Sequence, residues 1–320
     1  MFITTRILAQ EFTFQLDNDY FAGTDQHFTS GLGISWLDDD YKENNSSMYS
    51  KALLNLLTML PFKNYDSAQN YTAGLSLSQI MYTPVNLEKT TAQYNDIPYS
   101  GYLTLSFFVF QWNEHDFQEY RVDMGIVGPQ SKASEIQHNF HILIRDPHIP
   151  QGWNTQLGPH NVLNMLYRYG QKSWQGKIQD SLNADWFNQI GIQAGNYMTD
   201  CFFSTAFRFG KNYSNNFNAH YPYLREEASL LKSYKWQAGF GWSFSTGVNA
   251  DVTAYSYVLD EGRALGYDVK PYLLNNSAFA GIDLFYNAHR FSFYYSAQTP
   301  VAPAQKGVDF YGALMYNYTY

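Results

Sequence analysis

From residue 11 onward the chain alternates apolar and polar positions in short runs broken by turn residues. In "FTFQL" Phe12, Phe14 and Leu16 alternate with Thr13 and Gln15, and farther on Leu32, Ile34 and Trp36 alternate with Gly31, Gly33 and Ser35. "YTAGLSLSQ" sets Tyr71, Ala73, Leu75 and Leu77 on one face and Thr72, Gly74, Ser76 and Ser78 on the other. A period of two belongs to a β-strand with one greasy and one wet face. Followed along the chain, it predicts strands over 11–20, 28–37, 70–82, 100–112, 117–127, 161–173, 184–198, 201–211, 234–258, 277–287, 290–299 and 308–320. The 234–258 run reads as one long strand reaching beyond a bilayer. The closing "DFYGALMYNYTY" keeps Phe310, Leu314, Tyr316, Tyr318 and Tyr320 in phase.

Two segments follow a helical period instead. "KALLNLLTMLPF" (51–62) is amphipathic, interrupted by Asn55 and too short to span a membrane. After Pro129, Ile136, Phe140 and Leu143 recur at i, i+4 and i+7 and predict a packed apolar stripe. On the neighbouring stripe Gln137 stands one turn before His141, where its amide can orient the imidazole.

Composition decides what kind of sheet this is. Of 320 residues only 15% are charged and 18% are aromatic, against about 25% charged in soluble domains. Yet the mean hydropathy of -0.38 is not that of an apolar chain. A soluble sandwich needs charge on its outward faces, and these strands carry very little. A closed barrel leaves no unpaired backbone group in lipid and needs only about 10 residues per strand, alternating outward-apolar and inward-polar. The expectation is therefore an all-β, transmembrane antiparallel β-barrel of about 12 strands with short helices in its loops. It forms one domain over 1–320, with "MFITTRILAQ" as a possible signal-peptide remnant. The single cysteine, Cys201, excludes an internal disulfide framework and a multi-cysteine metal site. The net charge of -8 argues against nucleic acid and suits a surface where divalent cations bridge anionic lipids.

An even strand count puts the connections 20–27, 83–99 and 128–160 at one rim, expected to be the external one, and 38–69 at the periplasmic end. The cluster Asp17-Asn18-Asp19 then lies at the same rim as two long polar loops. Turn chemistry alone accounts for Asp and Asn at a bend. The alternation adds that Thr13, Gln15, Asp17 and Asp19 face inward, and that Thr29 falls on the inward side of the next strand. Lys89 and His141 belong to the two long loops.

The chain resembles the outer-membrane lipid A 3-O-deacylase family. The matching elements are "DNDYF…DQHFTSGL", "KALLNLLTMLPF", "QIMYTPVNLEK", "NDIPYSGYL", "GIVGP", "EIQHNFH" and "GWNTQL", in the family's order over roughly the first half of the chain. The resemblance implies a bacterial outer-membrane barrel with a calcium-dependent esterase site facing the extracellular leaflet. Its substrate would be lipid A, the membrane part of lipopolysaccharide, and its reaction the hydrolysis of the 3'-linked acyloxyacyl chain. Carried over residue by residue, the site residues are Asn18, Asp19, Thr29, Lys89 and His141, with Asn18, Asp19 and Asp146 as calcium ligands. Ile97 stands where the family commonly has arginine, and "LGPH" (157–160) lacks a usual acidic residue. A single rim site needs no partner subunit, so a monomer is expected.

The residues also have plainer readings. Lys89 suits a solvated loop charge, His141 a hydrogen-bonded structural histidine, and Thr29 an ordinary strand residue. His138, His148 and His160 lie close enough in sequence to form a transition-metal cluster with His141. Two other functions fit a membrane barrel: a phospholipase of the Ser-His-Asn type, although "HxS" is absent, and a porin-like channel.

Overall fold

The computed structural model describes residues 11–23, 27–37, 70–145, 147–179, 181–213, 217 and 238–319. Its first six strands are β1 (Glu11–Asn18), β2 (His27–Leu37), β3 (Asn70–Thr83), β4 (Ser100–Trp112), β5 (Asp116–Val127) and β6 (His160–Gln179). The others are β7 (Leu182–Gly195), β8 (Met198–Lys211), β9 (Phe240–Ser256), β10 (Leu274–Tyr286), β11 (His289–Gln298) and β12 (Asp309–Thr319). Each pairs antiparallel with its neighbours in sequence, and β12 closes on β1 with Glu11 opposite Thr319 and Asn18 opposite Gly312. Closure gives every central backbone N–H and C=O a ladder partner, as an apolar surround requires.

The alternation in the sequence becomes the two faces of this wall. Along β10 buried and exposed residues alternate at every position, with Asn275, Ser277 and Asp283 inside and Leu274, Ile282, Leu284 and Tyr286 outside. In β1, Thr13, Gln15 and Asp17 are buried while Phe14 is exposed. The predicted strands match throughout, with one difference of substance. The 234–258 run ends as β9 at Ser256, and a helix (Tyr257–Ala264) follows; residues 234–237 lie outside the described residues. Asp260 accepts the Ser256 N–H at 2.9 Å, which satisfies one free donor at the helix start. Tyr257, Val258 and Leu259 then turn into the barrel mouth. The expected helix at 51–62 lies outside the described residues.

Among the described residues, buried side chains occupy both ends of the lumen. At the rim carrying residues 84–99 and 128–159, an apolar cluster of Phe28, Ile97, Tyr102, Leu157, Val258 and Tyr311 occupies the mouth. At the opposite end Leu37, Phe108, Phe110, Trp112, Phe117 and Phe187 do the same. Between them run buried ion pairs. Arg168 Nη2 lies 2.5 Å from Glu119, Arg208 Nη2 2.6 Å from Asp185 and Arg290 Nη2 2.7 Å from Asp283. Asp283 also accepts from Ser243, Ser292 and Tyr294, so its buried charge is well compensated. Ile97, flagged as a departure, is 1% exposed within the mouth cluster; apolar burial fixes the loop there. This interior does not suit the porin-like alternative. Protein reconstituted in planar bilayers is expected to show no steady stepwise conductance; an open channel of porin size would contradict a packed lumen.

Candidate active site

The helix anticipated after Pro129 spans Ala133–Ile144 and is α1 here; the Tyr257–Ala264 helix is α2. A short 3-10 turn at Pro129–Ser131 leads into α1, and Lys132 enters at φ 62. Instead of dipping into the barrel, α1 lies on the outside of the wall against β3 and β4. Gly101 makes that possible: a Cβ there would sit 2.3 Å from the Ala133 Cβ and 2.4 Å from the Ser131 Oγ. Gln79, outward on β3, donates to the Ser131 carbonyl.

The helix is turned the opposite way from the expectation. Its buried face is Ala133, Gln137 and His141. The supposed packed stripe is the open one: Ile136 is 36% exposed and Leu143 78%. An amphipathic helix hides its apolar face when water is outside; this one hides an amide and an imidazole. Trp153 Nε1 donates to Gln137 Oε1 at 2.7 Å, so the amide one turn before His141 is held by the tryptophan of "GWNTQL". The same tryptophan packs at a tilt on Tyr99, ring centroids 5.0 Å apart, beside Leu87 and Ala133. Gln151 N–H donates to the Leu87 carbonyl at 2.8 Å. The 84–99 loop and the end of the 128–159 loop thus brace the helix together.

Between α1 and the wall runs a groove of about 240 Å³. Phe14, Leu16, Leu32 and Met81 line one side; Ile136, Phe140, Leu143 and Ile144 line the other; and Asn18, Thr29, Gln137 and His141 supply its polar groups. The volume is somewhat below the ~300–1,000 Å³ typical of small-ligand sites, so it fits one chain of a larger molecule.

Sequence reasoning misplaced Thr29. A β-bulge between Phe28 and Ser30 resets the alternation. Phe28 turns inward onto Tyr311, with ring centroids 5.1 Å apart, and Thr29 turns outward into the groove, its hydroxyl 2.6 Å from that of Thr83. The site is therefore on the outer wall, not on the inward side of the mouth. Asn18 lines it and accepts the Tyr20 N–H at 2.7 Å. Asp19 is buried at the start of the 3-10 turn Asp19–Ala22, at the same rim, but does not line the groove. Lys89 is exposed on its loop and does not line it either. Asp146 lies outside the described residues.

No group of three or more His, Cys, Asp or Glu side chains that could hold a metal occurs among the described residues. His160 stacks on Tyr257 at 4.4 Å, and His138 and His148 are exposed, so the four-histidine cluster does not form. The donors beside the groove are instead an adjacent carboxylate and amide oxygen, Asp19 and Asn18. Such donors fit in kind a cation that completes its shell with amide and backbone oxygens, as calcium does.

A family model described as outer membrane protein LpxR matches residues 2–320. The chain belongs to the LpxR family. Among solved structures it resembles LpxR from Salmonella typhimurium, with a TM-score of 0.75 and 15% identity, covering 96% of this chain and 99% of that one. The β domain of the Bordetella autotransporter BrkA aligns at a TM-score of 0.45 and 9% identity, over 97% of each chain. No curated protein sequence matches. The likeness to the Salmonella protein is one of fold, and the LpxR family is one of outer membrane proteins.

The residues that sequence reasoning missed are those holding the helix: Gly101, Trp153 and the apolar groove wall. Trp153→Phe would leave the Gln137 oxygen without its donor, at a cost of about 1–3 kcal/mol. Hydrogen exchange read by mass spectrometry is expected to speed up in 133–144 and stay unchanged in β7–β12. Unchanged exchange in the helix would mean that Trp153 does not anchor it.

Proposed function

We propose that the groove is the active site of a lipid A 3-O-deacylase, hydrolysing the 3'-linked acyloxyacyl chain at the external face of the outer membrane. The observation that carries this reading is the inverted helix. His141, 2% exposed, stands in a crevice whose remaining walls are mostly aliphatic and aromatic and run on into the lipid-facing surface of β1 and β2. A base next to a slot for an acyl chain, reachable sideways from a bilayer, is what ester hydrolysis on a membrane lipid needs.

In this reading the acyl chain lies between Phe14, Leu16 and Leu32 on the wall and Phe140, Leu143 and Ile144 on the helix, with its ester carbonyl drawn towards His141. The neutral imidazole takes a proton from a water whose oxygen attacks the carbonyl carbon. Collapse of the tetrahedral intermediate breaks the bond to the sugar-side oxygen, and the imidazolium returns the proton to that leaving oxygen. Fatty acid and a free hydroxyl result, without a serine nucleophile or acyl-enzyme. Gln137, held by Trp153, shares the buried helix face with His141 without a hydrogen bond between their side chains, and in this reading Thr29 orients the water or the base.

Asp19 and Asn18, with Asp146, would hold the calcium ion, which supplies positive charge where the oxyanion develops. Lys89 is placed by the resemblance among the site residues, where an ammonium would assist at the carbonyl. Its exposure on the loop fits better with the anionic head of the lipid, where an ammonium on a flexible stem binds phosphate as a point charge.

His141→Ala is expected to lower the rate by roughly 10²–10⁴-fold, read as retention of the acyloxyacyl mass in lipid A. Full-rate shortening by this variant would remove the proposed base, and lysophospholipid in place of shortened lipid A would favour a phospholipase. In a separate assay, a calcium-selective chelator should abolish activity and added calcium restore it, whereas insensitivity to chelation would dismiss the ion.

A further inference from the structure

The mouth holds one buried titratable group that this mechanism does not use. His27 is 1% exposed and opens β2. Its Nδ1 lies 2.9 Å from Asp309 Oδ1 and 3.1 Å from Oδ2, and its Nε2 lies 3.5 Å from Asp96 Oδ1. A neutral ring would turn a lone pair towards one of these carboxylates; the imidazolium presents an N–H to each. His27 also sits at φ 63, a left-handed conformation that side chains other than glycine adopt at a cost. Such strain persists where the surroundings over-determine it.

Each carboxylate belongs to a different loop. Asp96 accepts the Val85 N–H at 2.9 Å and the Ile97 N–H at 2.7 Å, so it pins both ends of the loop that carries Lys89. Asp309 opens β12 and accepts from Gln305 at 3.0 Å, which ties in the 299–308 turn. Two residues after His27 the bulge swings Thr29 into the groove. One buried ring thus joins the bulge, the Lys89 loop and the barrel's closing strand.

We propose that His27 is a positioning residue: shared between Asp309 and Asp96, it sets the Thr29 bulge and clamps the 84–99 loop beside the groove. The proposal rests on the deacylase reading for its kinetic part only. The full chain in detergent is tested as His27→Phe, Asp96→Asn and Asp309→Asn. A lysine-specific protease should cut after Lys89 faster in all three than in the parent, while the barrel keeps its heat-modifiable mobility on gels. On lipid A, kcat should fall on the order of tenfold through the lost alignment of Thr29, and KM should rise as well because the freed loop carries Lys89. Unchanged cleavage at Lys89 in folded His27→Phe would overturn the clamp, as would a KM effect without a kcat effect. Should His27→Phe not fold, Asp309→Asn decides, since it removes a partner of the ring and leaves the Asp96 bonds to Val85 and Ile97 intact. A parent protein inert towards lipid A would sink the reading of the groove and leave the clamp to the protease result.

Discussion

A bilayer offers no hydrogen bond to a peptide group, and that constraint organises everything else in this molecule. It forces the sheet to close, and closure turns β1 and β12, the two ends of the chain's strand series, into neighbours. It also reverses the usual meaning of inside and outside. The polar face, with Asp283, Arg290, Glu119 and Arg168, is the interior; the apolar face, with Phe14, Ile34 and Leu77, is the surface. Buried charge inside then has to be paired charge, as it is in each of the arginine–carboxylate sets.

Chemistry on a membrane lipid is awkward in such a body. On the proposed reading the ester would arrive from the apolar side, where an imidazole or an amide is unsolvated, while buried side chains occupy both ends of the polar interior. Helix α1 resolves the conflict by roofing a strip of the outer wall. Beneath it Gln137 and His141 are shielded from lipid, and the Trp153 bond satisfies the Gln137 oxygen. Its apolar stripe lines the open groove along the apolar wall, exposed because the phase outside is apolar too. The inverted amphipathicity is thus the ordinary hydrophobic rule applied with a different solvent.

This also explains which features the sequence disclosed. Strand positions and the faces of β1, β3 and β10 follow from a period of two that lipid and packed lumen enforce equally on all strands. The helix after Pro129 was legible from its period, but its facing was not. Ile136, Phe140 and Leu143 look like a core stripe unless the medium beyond them is known. Asn18, Thr29 and His141 line one groove on the outer wall, although strict alternation puts Thr29 on the inner face. Gly101 and Trp153 stayed silent because their roles are defined by partners thirty-two and sixteen residues away along the chain, Ala133 and Gln137, and no local pattern records such pairs.

The places where local rules fail are the places where the groove is built. Strict alternation would have put Thr29 inside, unable to meet a lipid; one extra residue in β2 carries it through the wall. A side chain at 101 would clash with Ala133 and Ser131 of the helix and the turn before it, and glycine lets the helix settle on the wall. A regular start to β2 would not require His27 at positive φ. These departures cluster within the first four strands and their loops; the other register shifts, in the β6–β7 and β8–β9 pairs, involve none of the groove residues. A barrel closed by the remaining strands can tolerate strain in this arc, and that tolerance is what allows a polar site to exist on an apolar surface.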